Sequence, residues 1–176
     1  MFRNILVCVD GSKHSERALS EAIDVAISNH ARLSILTAVC RPPSWAWTPL
    51  TIPAIEPLAA ELEREAQAAL RQAVDRVPDS VSVTTILSHK PIREALMSRL
   101  RDGDHDLLVM GSRGRAPLTA SLMGSVSQYA LRHSPVPVLV VHCDDGPAGA
   151  PSAPRGSGTR GPMLAPGVTS PGGSRA

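Results

Sequence analysis

Aromatic side chains are nearly missing from this 176-residue chain: Phe2, Trp45, Trp47 and Tyr129 are the whole set. A platform that stacks single-stranded nucleic acid needs several aromatics along one groove, so that class of partner is not expected. Charge of one sign is missing too. The net charge is +2, and Arg155, Arg160 and Arg175 lie near the C-terminus with no acid after Asp145, so the preceding body carries −1. No basic stripe marks a nucleic-acid surface. Paired cysteines are absent. Cys8, Cys40 and Cys143 are odd in number, far apart and without a CxxC spacing, which excludes a disulfide framework and a cysteine zinc site and fits reduced thiols of a cytoplasmic protein. Long apolar runs are lacking as well. "ILVCV" stops at Asp10, too early for a signal peptide, and nothing approaches the roughly 18 apolar residues of a membrane span. The expectation is a soluble, cytoplasmic chain.

What is present divides in two. Residues 146–176 hold eight glycines and six prolines and almost no large aliphatic residues. Such a stretch cannot bury enough apolar surface to offset its ordering entropy, and it is expected to be a disordered tail. Residues 1–145 have the size of one compact domain.

Within that body, short apolar runs alternate with amphipathic stretches. "NILVCVD" reads as a buried strand, and Ser12 as the N-cap of a helix with Ala18, Leu19, Ala22, Ile23, Ala26 and Ile27 on its apolar face. "RLSILTAVC" is the second strand and "RPPSWAWTPLTIP" a proline-rich loop. A helix from Glu56 to Val77 follows, with Leu58, Leu62, Ala66, Ala69, Leu70 and Ala73 inward. "SVTTIL" is the third strand, and "PIREALMSRLRD" a helix opening at Pro91. "HDLLVMGS" is the fourth strand, "GSVSQYALRHS" a helix and "VPVLVVHC" the last strand. Strand–helix repetition with apolar runs that do not alternate predicts an α/β fold, an open parallel sheet covered on both faces. Ligands of such sheets bind beyond the strands' carboxyl ends, and Asp10 and Gly111 both sit at such ends.

Chemistry concentrates in "GSRGRAPLTASLMGSVS", from Gly111 to Ser127. Gly111, Gly114 and Gly124-Ser125 are separated by two and then nine residues. Glycine lets backbone amides approach a ligand closely, and a helix start adds unpaired N–H groups and the positive end of a dipole. Ser112, Thr119 and Ser121 add hydroxyls; Arg113 and Arg115 add charge. By spacing alone, a phosphate cradle and an ordinary strand–loop–helix connection both remain open. The loop is not a Walker A motif, which ends GK[ST], nor a GxGxxG dinucleotide fingerprint. Asp10-Gly11-Ser12 lacks the second acid that an aspartyl phosphotransferase carries two places on, because Ser12 occupies it.

The glycine cadence, its following helix and "SPVPVLVV", together with "ILVCVDGSKHSERAL" and "HDLLVMGSRGR", resemble the universal stress protein family over about residues 1–143. That resemblance implies a five-stranded sheet in the order 3-2-1-4-5 and a site for ATP, with or without Mg. It implies that Asp10 meets ribose or adenine beside Cys8 and Val9, that Val39 meets adenine through its backbone and that Met110 packs near the base. Gly111, Arg113 and Gly114 would wrap the phosphates, and Gly124, Ser125, Val126 and Ser127 would hold them from the helix start. It further implies a homodimer through the last strand and a stress-response module that changes conformation or partners with nucleotide. A slow ATPase, a self-phosphorylating enzyme and a scaffold with a vestigial site are the alternatives. The proline-rich extension and the Trp45/Trp47 loop depart from the common pattern. They are expected to be a solvated tail and a lid over the second helix, with a partner-docking tail and a flap near the nucleotide as the alternatives.

Overall fold

The computed structural model describes residues 1–40, 47–115 and 123–143. The segment expected to be a tail, together with Trp45, Thr119 and Ser121, lies outside the described residues. Nine elements alternate: β1 (Asn4–Cys8), α1 (Lys13–Asn29), β2 (Arg32–Ala38), α2 (Ile52–Asp75), β3 (Val83–Ser88), α3 (Ile92–Asp102), β4 (Leu107–Gly111), α4 (Ser125–His133) and β5 (Val138–Val141). The strands form one sheet in the order β3-β2-β1-β4-β5, with every described pair parallel. This is the α/β architecture and strand order expected from the sequence.

The lack of alternation in the strands has a direct cause: both sheet faces are buried. Ile5, Val7, Val9, Leu33, Ile35, Leu107 and Val109 face Ala18, Leu19, Ala22 and Ile23 of α1 and Ala73 of α2. Leu6, Leu36, Leu108 and Met110 face Leu96, Met97 and Leu100 of α3 and Ala130 of α4. Each fully buried aliphatic side chain contributes roughly 1.5–3 kcal/mol, so the central strands β1 and β4 anchor the loops that leave their carboxyl ends.

Ser12 caps α1 as expected: its Oγ accepts the Ser15 N–H at 3.3 Å. Helix α2 departs from expectation. It begins at Ile52 rather than Glu56 and carries Pro53 and Pro57 inside its first two turns. The Thr48–Thr51 turn, where the Ile52 N–H reaches the Thr48 carbonyl at 2.9 Å, starts the coil ahead of them. Pro53 then removes only an N–H that a first turn leaves unpaired. The α2 burial pattern also differs. Ala66, Ala69 and Ala73 are buried, but Leu58 is exposed, so the first half of the helix runs without a buried residue. Ile27 of α1 and Trp47 are exposed in the same way.

Candidate functional site

In the order β3-β2-β1-β4-β5 the chain proceeds outward in both directions from the β1–β4 pair. Crossovers diverge there, and open parallel sheets bind ligands at such a point. The turn after β1 and the loop after β4 therefore share one rim.

The β1 side is a closed turn. Asp10 Oδ1 accepts the Ser12 N–H at 3.0 Å, an Asx turn, while the Asp10 N–H donates to Ser15 Oγ at 3.3 Å. Gly11 adopts φ +77°, a left-handed conformation that a side chain would strain. Val9 gives its N–H to the Leu36 carbonyl at 2.9 Å and its carbonyl to Thr37 Oγ1 at 3.0 Å. Val39, beyond β2, gives its N–H to the Ser88 carbonyl at 2.9 Å. Burial pushes the half-buried Cys8 thiol up to about 12, with the nearby Asp10 carboxylate adding to the shift. It stays protonated at neutral pH and is not a nucleophile there.

The β4 side assigns the motif glycines different tasks. A Cβ on Gly111 would lie 2.7 Å from the His14 carbonyl carbon and 2.9 Å from its oxygen, so Gly111 lets α1 press against the end of β4. A Cβ on Gly114 would lie 2.7 Å from Asp10 Oδ2, which brings the two rim loops into contact. A Cβ on Gly124 would lie 3.4 Å from the Ser112 carbonyl oxygen and 3.5 Å from Arg113 Cα. The Gly124 N–H is committed to that Ser112 carbonyl at 2.7 Å. The Ser127 hydroxyl, buried, donates to the Gly111 carbonyl at 2.9 Å. What α4 offers outward is backbone: its first intrahelical bond runs from Gln128 N–H to the Gly124 carbonyl, so helical geometry leaves the amides of Ser125, Val126 and Ser127 ahead of it without intrahelical acceptors. Met110 is buried in the core beneath the rim.

The structure thus gathers Asp10, Gly111, Arg113, Gly114, Gly124, Ser125, Val126 and Ser127 around one rim, with Cys8, Val9 and Met110 in or beside its supporting strands and Val39 at the adjacent strand end. Two residues, His14 and Glu65, escaped sequence reading, and a third, Ser112, was named only as a loop hydroxyl. His14 is buried against Gly111, with its ring edge-on to His142 at 6.2 Å. Ser112 is fully buried, and its Oγ has no hydrogen-bond partner among the described residues. Glu65 of α2 pairs with Arg115 at 2.7 Å. Ser112 was visible as a motif hydroxyl and Glu65 as an acid in a helix whose apolar face is alanine-rich, whereas His14 left no trace.

A well-defined depression among the described residues lies elsewhere. It spans about 570 Å³ and is lined by Lys90, Pro91, Arg93, Glu94, Met97, Ser98, Arg101, Asp102 and Tyr129, along α3 and α4. None of the twelve expected site residues lines it. A smaller depression of about 280 Å³, between α1 and α2, includes Val9 and Gly11. The topology and the convergence of three chain segments, rather than hollow volume, place the candidate site at the rim.

Comparison with known proteins bears on the family and the fold. The profile of the Universal stress protein family matches residues 1–142. A universal stress protein of Thermus aquaticus is 34% identical over 80% of this chain and 99% of its own length. The solved universal stress protein UspA of Lactobacillus plantarum, 25% identical, superposes with a TM-score of 0.66 over 79% of this chain and 97% of that one. A universal stress protein solved in complex with cAMP is 28% identical, with a TM-score of 0.56 over 80% of this chain and 97% of that one. The chain belongs to the universal stress protein family.

Proposed function

We propose that this protein is an adenine-nucleotide-binding module, with ATP, with or without Mg, as its ligand, and that it acts by nucleotide-dependent conformation or partner binding in the cytoplasm. The observation that carries the reading is the meeting of three segments at the switch point: Gly114 against Asp10, and both beside the free amide end of α4. A backbone cradle without side chains, facing a helix start, suits phosphate oxygens. The relative solved with cAMP supports an adenine nucleotide as the occupant.

The proposed roles divide by what each group has left to offer. Ser125, Val126 and Ser127 present amides to phosphate, and the exposed Ser125 adds a hydroxyl. Gly114 and Arg113 wrap the phosphates from the β4 loop. Gly111 and Gly124 act through the close approaches their missing side chains permit. Asp10 meets the ribose or base, Val39 the base through its backbone, and Cys8, Val9 and Met110 shape the floor. Binding is favoured over turnover: the Cys8 thiol is protonated, and among the described residues no acid or histidine is hydrogen-bonded to the Ser125 hydroxyl. The proposed homodimer forms through β5, an edge strand that pairs with β4 on one side and bears the exposed Leu139.

The test is calorimetric titration of the purified chain with ATP, ADP, AMP and cAMP, after any nucleotide released by denaturation has been identified by chromatography. Saturable one-site binding of an adenine nucleotide is expected. No binding to any of the four, with none co-purified, overturns the reading.

A further inference from the structure

We propose that Arg115 sets the preference of the site for long phosphate chains and that Glu65 holds it in reserve until such a ligand arrives; this rests on the nucleotide reading above. Arg115 spans three parts of the molecule. Its backbone N–H donates to Asp10 Oδ2 at 3.2 Å, which ties the end of the glycine turn to the carboxylate proposed to meet ribose or base. Its guanidinium crosses the β1–α1 turn, where Nη2 lies 3.0 Å from the point a Cβ on Gly11 would occupy. Its Nη1 then donates to Glu65 Oε2 of α2 at 2.7 Å.

The two ends of this residue are held with different strength. The backbone is fixed by the rim. The head group is held by an ion pair whose side chains are 49% and 45% exposed, and such a pair shifts an equilibrium by at most about fivefold. A polyphosphate presents several negative charges and oxygen pairs that match the planar guanidinium fork. Arg115 therefore exchanges Glu65 for phosphate oxygens when the chain is long enough to reach it, and stays on Glu65 when the ligand carries a single phosphate. Glu65 is thereby a built-in competitor: it lowers affinity for a polyphosphate and leaves a monophosphate untouched.

The experiment measures dissociation constants for ATP, ADP and AMP on the full chain and on the Arg115→Gln, Glu65→Gln and Arg115→Gln/Glu65→Gln variants. Arg64→Gln serves as a control, since Arg64 pairs with Glu61 on its own helix. Arg115→Gln is expected to weaken ATP about tenfold, the loss of a charge-assisted contact, with AMP nearly unchanged. Glu65→Gln is expected to strengthen ATP by up to about fivefold, again sparing AMP. That gain cannot arise from misfolding, so it carries the test even if Arg115→Gln melts early. The double variant should match Arg115→Gln, and Arg64→Gln should match wild type. An ATP-to-AMP affinity ratio the same in wild type, Arg115→Gln and Glu65→Gln overturns the proposal while nucleotide binding stands. Wild-type protein that binds none of the three overturns the nucleotide reading and this proposal with it.

Discussion

The groove along α3 and α4 and the rim at the ends of β1 and β4 differ in what their polar groups have left to give. In the groove the charges are largely answered from within. Lys90 pairs with Glu94 at 3.3 Å and Ser98 donates to Asp102 at 3.0 Å, while the Arg93 guanidinium lies over the Tyr129 ring at 5.2 Å and also donates to the Ser125 carbonyl at 3.4 Å. A groove of this kind is what remains when two helices lie side by side on a sheet. At the rim the side chains are also mostly committed: Asp10 to Ser12 and Arg115, Ser127 to Gly111. The backbone amides that open α4 differ, because helical geometry gives them no intrahelical acceptor. The proposed anion site therefore follows the topology and the helix start, not the volume.

The contrast can be broken most strongly within the rim itself. Gly111→Ala would place a methyl group against the His14 backbone, which cannot step aside as a side-chain tip can. It should cost about 2–3 kcal/mol, in the range of overpacked sites, seen as a lower denaturant midpoint; an unchanged midpoint would show that the α1–β4 contact is loose. Gly114→Ala meets only the end of the Asp10 side chain, so stability should change by less than about 1 kcal/mol. ATP affinity should fall about tenfold as backbone approach is blocked. Smaller is Ser12→Ala, which removes the α1 cap and should cost about 1 kcal/mol, with nucleotide affinity changed only through the Asp10 turn. In the groove, Arg101→Ala should leave both stability and nucleotide affinity within about 0.5 kcal/mol of wild type, as exposed substitutions generally do.

Cys8 sharpens the comparison by chemistry rather than by mutation. Its thiol is raised from 9.0 to about 12 in the fold. Below pH 9 the folded and unfolded thiols are both protonated and stability is unaffected. As pH rises from 9 toward 12 the unfolded thiol ionises first, so the native state loses stability across that window. At pH 8 a thiol-specific reagent should label the exposed Cys40 quickly and Cys8 slowly. Equal rates would show that the β1 end is open to solvent.

Much of this was readable in the chain. Five apolar runs without alternation became five strands, the central β1, β2 and β4 buried on both faces, and Ser12 became the cap of α1. The start of α2 was not readable. Pro53 looks like a loop residue, and only the Thr48–Thr51 turn ahead of it makes a helical first turn tolerable. The apolar face of α2 was overextended for a related reason: periodicity names the stripe but not how far along it a neighbour lies, and burial begins only at Ala66. The glycine cadence marked the site, but it could not assign the glycines. Gly111 answers to His14 and Gly114 to Asp10, partners about a hundred positions away in sequence. Arg115 and Glu65 were missed as a pair for the same reason: their contact depends on where α2 lies over the β1–α1 turn.

The most direct test of the central claim is where on the fold an adenine nucleotide is felt. Backbone amide resonances followed during titration with ATP should shift at Asp10–Ser12, Gly111–Gly114 and Gly124–Ser127, with Lys90, Ser98 and Arg101 still. Shifts centred on those three groove residues, with the rim unmoved, would contradict the account.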